Sequence, residues 1–182
     1  IANGGARGGQ PVKIYHNDGG DEFTAAWSST ETDMSVSPAW ADYDGDGDAD
    51  LLVGFAANGA GAPNRLYRND GDGDFTLAWT SIESEDAAYV SWADADADGD
   101  LDFAVSNYNV LSPANGIDRM YVNSGGGSFS SFWTSSESDN THSFSWGDFD
   151  NDGDLDALAG GGRALQGQAH EGQVLQQAVR VQ

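Results

Sequence analysis

The chain has 182 residues, of which 38% are hydrophobic and 11% aromatic, which is enough for a folded core and unlike a disordered chain. Its 30 acidic residues outnumber 7 basic ones, and the net charge of −23 excludes nucleic acid and anionic membrane surfaces as partners. The absence of cysteine excludes disulfides and thiolate metal sites, and no apolar run reaches the roughly 20 residues needed for membrane insertion. We therefore expect a secreted, extracellular protein of bacterial type whose partners include cations.

A unit of about 50 residues recurs along the chain. One motif reads IYHNDGGDEFTAAW from Ile14, LYRNDGDGDFTLAW from Leu66 and MYVNSGGGSFSSFW from Met120. A second motif, in the same rhythm, reads PAWADYDGDGDADLLVG, VSWADADADGDLDFAVS and FSWGDFDNDGDLDALAG. The shared period predicts repeats over residues 1–160, with partial units at about 1–34 and 141–160 and full units at about 35–86 and 87–140. Residues 161–182 form an atypical, glutamine-rich tail.

Each unit contains four short apolar segments separated by Gly, Asn and Asp clusters, which is the pattern of strands and turns. In the first full unit the predicted strands are Val36–Ala41, Leu51–Phe55, Asn64–Arg68 and Phe75–Thr80. Four-stranded antiparallel units at this period are typical of β-propeller blades. The sequence therefore predicts an all-β fold with about three to three and a half blades in the chain.

Each unit also carries an acidic loop of the form D-x-D-x-D-G-x-x-D. Carboxylates at positions 1, 3, 5 and 9, with the backbone carbonyl of position 7, would surround a cation if the glycine at position 6 permits a sharp turn. An oxygen cage without His or Cys favours calcium, about three ions per chain, whereas the alternative is a solvated acidic turn adapted to high salt. The candidate metal-ligating residues are Asp42, Asp44, Asp46, Asp48 and Asp50; Asp94, Asp96, Asp98, Asp100 and Asp102; and Asp148, Asp150, Asp152, Asp154 and Asp156.

The stretches NRLYRNDGDGDFT and SWGDFDNDGDLDALAG closely resemble the FG-GAP and VCBS repeats of integrin alpha chains and of many bacterial secreted proteins. By this resemblance, which covers about residues 1 to 160, each acidic loop joins two strands of a blade and holds one Ca²⁺. The resemblance also implies seven-bladed propellers that serve adhesion, ligand recognition or surface display. Because closed propellers need at least about four blades, three readings of the ring remain open: a fragment of a longer propeller, an open array, or a homo-oligomer that completes a propeller ring.

Several other residues recur with the repeat. We expect the tryptophans and tyrosines to pack within and between blades more than to stack on sugars, and the glutamates to be solvated strand ends more than recognition residues. The histidines His16, His142 and His170 are unrelated in the repeat, which argues against a catalytic triad or zinc site and against an enzyme. The recurring residues are Trp27, Trp40, Trp79, Trp92, Trp133 and Trp146; Tyr15, Tyr67 and Tyr121; and Glu31, Glu83 and Glu137.

These features favour a calcium-binding β-propeller module for extracellular binding, adhesion or scaffolding, with an unidentified protein or glycan ligand as in a lectin. One alternative is an accessory or catalytic domain of a polysaccharide-processing enzyme, which would need an acid outside the repeat pattern. Another is a purely structural or engineered propeller fragment.

Overall fold

The computed structural model describes residues 9–57, 59–108, 116–136 and 140–161, and within these ranges it contains strands and no helix. Residues 162–182 of the glutamine-rich tail and the first residues of the first partial unit lie outside them, whereas Gly161, predicted to begin the tail, ends β12. No helix in these ranges has the length and apolar character required to cross a bilayer. The strands are β1 (Lys13–Gly19), β2 (Glu22–Ser28), β3 (Met34–Ala41), β4 (Asp50–Ala56), β5 (Arg65–Asn69), β6 (Phe75–Thr80), β7 (Ala87–Ala93), β8 (Asp102–Asn107), β9 (Arg119–Asn123), β10 (Phe129–Thr134), β11 (Thr141–Gly147) and β12 (Asp156–Gly161).

The strands form two complete sheets flanked by two half-sheets. Sheet I has the order β3-β4-β5-β6 and sheet II the order β7-β8-β9-β10, and every pairing is antiparallel. The first half-sheet consists of β1 and β2, and the second half-sheet consists of β11 and β12. The predicted all-β fold with four-stranded antiparallel sheets is confirmed. Among the described residues β1 and β12 each pair with one strand, so the array is open at both places.

The strands predicted for the first full unit agree with sheet I to within two residues. One difference is at Asn64, which was predicted to start the third strand but precedes β5. The backbone N–H of Asn64 donates to Ser81 Oγ at 2.9 Å, and its side-chain Oδ1 accepts a hydrogen bond from the Phe55 N–H at 3.1 Å. These side-chain contacts replace ladder hydrogen bonds at this residue and hold the β4–β5 connection against β6.

Consecutive sheets pack face to face, so that β7 lies against β3 and β4, and β11 lies against β7 and β8. The inner strands β4 and β8 are buried along their whole length, whereas most residues of the outer strands β6 and β10 are exposed. Gly54 of β4 permits the close approach, because a Cβ there would lie 3.0 Å from both the Ala87 Cβ and the Val90 Cγ1. Leu52, Leu66 and Phe103 are fully buried in the cluster between sheets I and II.

Candidate metal centres

The three acidic loops occupy the same place in their sheets, because each connects the first strand to the second: β3 to β4, β7 to β8 and β11 to β12. The glycine at position 6 has a φ of 98° in Gly47 and 99° in Gly99 and Gly153, a conformation that side chains disfavour. The prediction that this glycine supplies the turn is confirmed. Position 4 is also left-handed, as Ala97 at φ 58° and Asn151 at φ 60° show. Gly45 and Asn151 are residue types that favour this conformation, whereas Ala97 gives no such signal.

Three carboxylates of each loop converge. The oxygens at positions 1, 3 and 9 lie within 4.8 Å of one another in every loop. The ninth-position residue is the first residue of β4, β8 or β12, and it is buried in each case. Strand formation thus places one carboxylate under the loop, and the curled chain brings the other two over it. The three groups are Asp42, Asp44 and Asp50; Asp94, Asp96 and Asp102; and Asp148, Asp150 and Asp156.

The carboxylates at position 5 do not belong to these groups, although the sequence predicted them as ligands. In each loop the fifth-position Oδ1 accepts a hydrogen bond from the backbone N–H of position 7, at 2.9, 2.9 and 3.1 Å. These bonds form Asx turns that fold the loop around its glycine. The residues involved are Asp46 with Asp48, Asp98 with Asp100, and Asp152 with Asp154.

The ninth-position carboxylates also anchor the loops to the third strand of the sheet. Asp102 accepts hydrogen bonds from the Ala95 N–H at 2.9 Å and from the Asn123 N–H at 2.8 Å, and Asp50 makes the matching bonds in sheet I. Burial raises the pKa of both Asp50 and Asp102, and these backbone N–H groups oppose the rise because they favour the ionised carboxylate. This anchoring across the sheet was not predicted, because the asparagine is 21 residues beyond Asp102.

The donor set fits a hard cation. Asp94 Oδ1 is buried and has no hydrogen-bond partner, although it belongs to a group that includes two further carboxylates. A buried carboxylate oxygen without a donor is costly unless a cation compensates it. Carboxylate oxygens without a nitrogen or sulfur ligand suit Ca²⁺ better than zinc or copper. The residues at positions 1, 3 and 9 would therefore hold the ion.

The recurring glutamates are not solvated strand ends, which corrects the sequence interpretation for Glu31 and Glu83. Glu83 Oε2 accepts a hydrogen bond from the Tyr121 hydroxyl at 2.9 Å, and Glu31 Oε2 accepts one from the Tyr67 hydroxyl at 3.0 Å. Each glutamate lies in the connection between consecutive sheets, so its hydrogen bond fastens that connection to the sheet that follows. Arg119 strengthens the second junction through Glu85, at 2.8 Å. Glu137 lies outside the described residues.

Five of the six tryptophans pack as predicted. Trp79 makes edge-to-face contacts with Phe103 and Tyr121, at centroid distances of 5.5 and 5.4 Å, and lies at the core between sheets I and II. The same cluster also contacts Trp92. The cluster between the first half-sheet and sheet I contacts Trp27, and the cluster between sheet II and the second half-sheet contacts Trp133 and Trp146. Trp40 differs because 51% of its surface is exposed, and Tyr15 is likewise 38% exposed. Tyr15 lies on β1 of the first half-sheet, which has only two strands, and Trp40 lines the same groove as Tyr15 from β3.

Comparison with known families agrees with this architecture. A model described as an FG-GAP-like repeat matches residues 2–53, 55–105 and 108–159. The matches repeat the period of the acidic loops and together span most of the chain. A comparison with curated proteins gives no match. The resemblance seen in the sequence is confirmed, and the chain belongs to the FG-GAP-like repeat family.

Proposed function

We propose that the chain is a calcium-stabilised repeat module of the propeller type, which acts outside the cell in binding or scaffolding and has no catalytic role. The observation that carries the calcium assignment is the convergence of three carboxylates in each loop, with the partnerless oxygen of Asp94 in one of them. A solvated acidic turn would be expected to separate its charges, because like charges repel at short range. Calcium at roughly millimolar concentration outside cells would occupy about half or more of such sites, because extracellular modules have Kd values on the order of 10⁻⁴–10⁻³ M.

Thermal melting of the calcium-free protein, with and without added Ca²⁺ or Mg²⁺, tests the assignment. We expect a calcium-specific rise in the melting temperature, equivalent to about 2.7 kcal/mol per site at a hundredfold excess over Kd. Asp96→Asn should remove one site's share of this rise. Asp72→Asn is the matched control, because Asp72 lies in the alternating stretch Asp70–Asp74, outside the three groups. A melting temperature that calcium leaves unchanged in the wild-type protein would refute the assignment.

The absence of a catalytic role is supported by how the ionisable groups are used. His16 pairs with Asp18 at 2.7 Å on the exposed first half-sheet, whereas His142 lies beside the Tyr108 ring at 4.4 Å. These two histidines are on different sheets, and His170 lies outside the described residues. The close carboxylate groups belong to the proposed metal centres. Turnover of a polysaccharide by the purified chain would contradict this part of the proposal.

The proposed partner is a protein or a glycan, because a net charge of −23 repels nucleic acid and anionic lipid surfaces. A glycan array probed with and without calcium distinguishes a binding module from a structural spacer. Binding that disappears on chelation would support recognition by calcium-ordered sheets. Uniform absence of glycan binding, together with a normal calcium-dependent melting shift, would eliminate the glycan and leave a protein partner or a scaffold.

A further inference from the structure

The two half-sheets are complementary parts of one four-stranded sheet. The first half-sheet carries the Tyr–Asn motif that β5–β6 and β9–β10 carry in the complete sheets, whereas the second half-sheet carries the acidic loop that joins β3 to β4 and β7 to β8. We propose that β12 of one copy of the chain pairs antiparallel with β1 of a second copy. The joined sheet has the order β11-β12 from one copy followed by β1-β2 from the other.

The complete sheets define the register of this pairing. In both of them the second and third strands pair at equivalent positions: Leu51 with Tyr67 and Val53 with Arg65 in sheet I, and Phe103 with Tyr121 and Val105 with Arg119 in sheet II. The same register places three residues of β12 opposite three residues of β1. These pairs are Ala157 with Tyr15, Leu158 with Ile14, and Ala159 with Lys13.

The pairing also completes the third metal centre. Asp50 and Asp102 each accept a hydrogen bond from the backbone N–H of an asparagine on the third strand, Asn69 or Asn123, at 2.8 Å. Asp156 occupies the same position and accepts a hydrogen bond from the Phe149 N–H at 3.0 Å. The equivalent asparagine is Asn17, which lies on β1. In the joined sheet, Asn17 of the second copy therefore anchors the third acidic loop.

Exposed aromatic residues mark both sides of the junction. Within the chain, Tyr43 of the first acidic loop is 6% exposed and stacks on Trp92 of the next sheet, with centroids 6.4 Å apart and rings 6° from parallel. Phe149 holds the position of Tyr43 but is 69% exposed, and Trp40 holds the position of Trp92 but is 51% exposed. Joining β12 to β1 brings Phe149 to Trp40 of the second copy and covers both.

A groove in the first half-sheet has the position that β12 would fill. It has a volume of about 250 Å³ and lies between β1–β2 and the start of sheet I, where Ser35, Pro38 and Trp40 line it. At the next junction Gly54 of β4 closely approaches Ala87 and Val90, which are the equivalents of Ser35 and Pro38. The β12 residue equivalent to Gly54 is again a glycine, Gly160. A β12 strand therefore reproduces the close approach made by β4.

The number of sheets fits a ring of two copies. The described residues contain two complete sheets and two halves, which are equivalent to three sheets. Two copies joined head to tail contain six sheets, within the range of about four to eight for closed propellers. The proposal rests on strand pairing and goes beyond the proposed calcium and ligand binding.

Cysteine cross-linking of the full chain tests the register, because the natural sequence has no cysteine. A mixture of the Ile14→Cys and Leu158→Cys variants should form a disulfide between copies under mild oxidation, since directly paired residues have Cβ atoms close enough to bridge. His16→Cys mixed with Leu158→Cys is the control, because these residues would be diagonal and too far apart. Equal cross-linking of both mixtures, or of neither, would overturn the pairing.

Sedimentation of the unmodified chain in calcium tests the assembly, and we expect twice the monomer mass of 19.1 kDa. Leu158→Lys should shift the protein to a monomer, since the charge would enter the joined sheet. Leu77→Lys is the matched control, because Leu77 on β6 is similarly exposed, at 47% against 42% for Leu158, and should leave the dimer intact. Melting of both variants verifies folding. A monomeric wild-type chain would overturn the proposal, whereas a dimer without any calcium-dependent shift in melting would refute only the proposed calcium binding.

Discussion

Tyr121→Phe tests the hydrogen bonds that join consecutive sheets. The hydroxyl of Tyr121 is buried, and burial followed by the charge of Glu83 raises its pKa, so it remains a donor to Glu83 Oε2 at 2.9 Å. A hydrogen bond to a charged group contributes about 1.5–3 kcal/mol, and the 29% exposure of the Glu83 side chain reduces the expected loss to about 1–2 kcal/mol. In a chain of this size the melting temperature should fall by about 2–8 °C.

The phenylalanine keeps the ring contact with Phe103, which has centroids 4.8 Å apart, so the loss reports the hydroxyl. Tyr89→Phe is the matched control, because Tyr89 on β7 is 39% exposed and lies outside the proposed junction between copies. A double-mutant cycle with Glu83→Gln, measured by urea unfolding, should give a coupling energy of about 1 kcal/mol. Equal losses in the Tyr121 and Tyr89 variants, with no coupling to Glu83, would refute the inference that this bond stabilises the junction.

Two further predictions concern the acidic loops. Ala97→Gly should raise the free energy of unfolding by about 1 kcal/mol, since φ is 58° at Ala97 and glycine adopts this conformation without strain. Ala78→Gly in β6 is the control and should lower the free energy of unfolding. Urea unfolding measures both variants, and a loss of stability in Ala97→Gly would contradict the left-handed loop. The pKa values of Asp50 and Asp102 are raised in the folded, calcium-free protein, so the folded state binds protons more tightly at these residues than the unfolded state does. Their contribution to stability therefore increases as the pH falls through the raised values and is complete below 3.8. Melting measured as the pH falls from about 7 towards 3.8 should therefore show stabilisation without calcium and a shrinking calcium effect, because protonated carboxylates bind calcium poorly. A calcium effect that grows on acidification would contradict this.

The strands and the acidic loops could be predicted from the sequence because their determinants are local. Phe75–Thr80 was recognised from alternation and is β6 in the structure, and Gly47 was recognised as the turn residue of its loop. The division of roles among the aspartates was not predictable from spacing. Asp46 closes an Asx turn with the backbone N–H of Asp48 and is not part of the group that contains Asp42 and Asp44.

Long-range partners were the main source of error. Glu83 was interpreted as a solvated strand end because its partner, Tyr121, is 38 residues away on another sheet. Asp102 was interpreted only as a ligand, although it also fastens its loop to Asn123. The partner of Glu83 lies in the following unit, whereas Asn123 lies in the same unit as Asp102 but 21 residues further along the chain. The repetition of Tyr, Glu and Asn with one period was visible, but it did not show which unit supplies the partner.

The sequence by itself determined the period, the antiparallel strands, the acidic turns and the family, because alternation, glycine placement and charge act within a few residues. The tertiary structure decided which carboxylates meet, which acids join neighbouring sheets and which aromatic residues are covered. Trp92 and Trp40 hold equivalent places in the repeat, yet Trp92 lies in the core and Trp40 is 51% exposed. The physical reason is that a repeated sequence specifies the same strand each time, whereas burial depends on whether another sheet is packed against it.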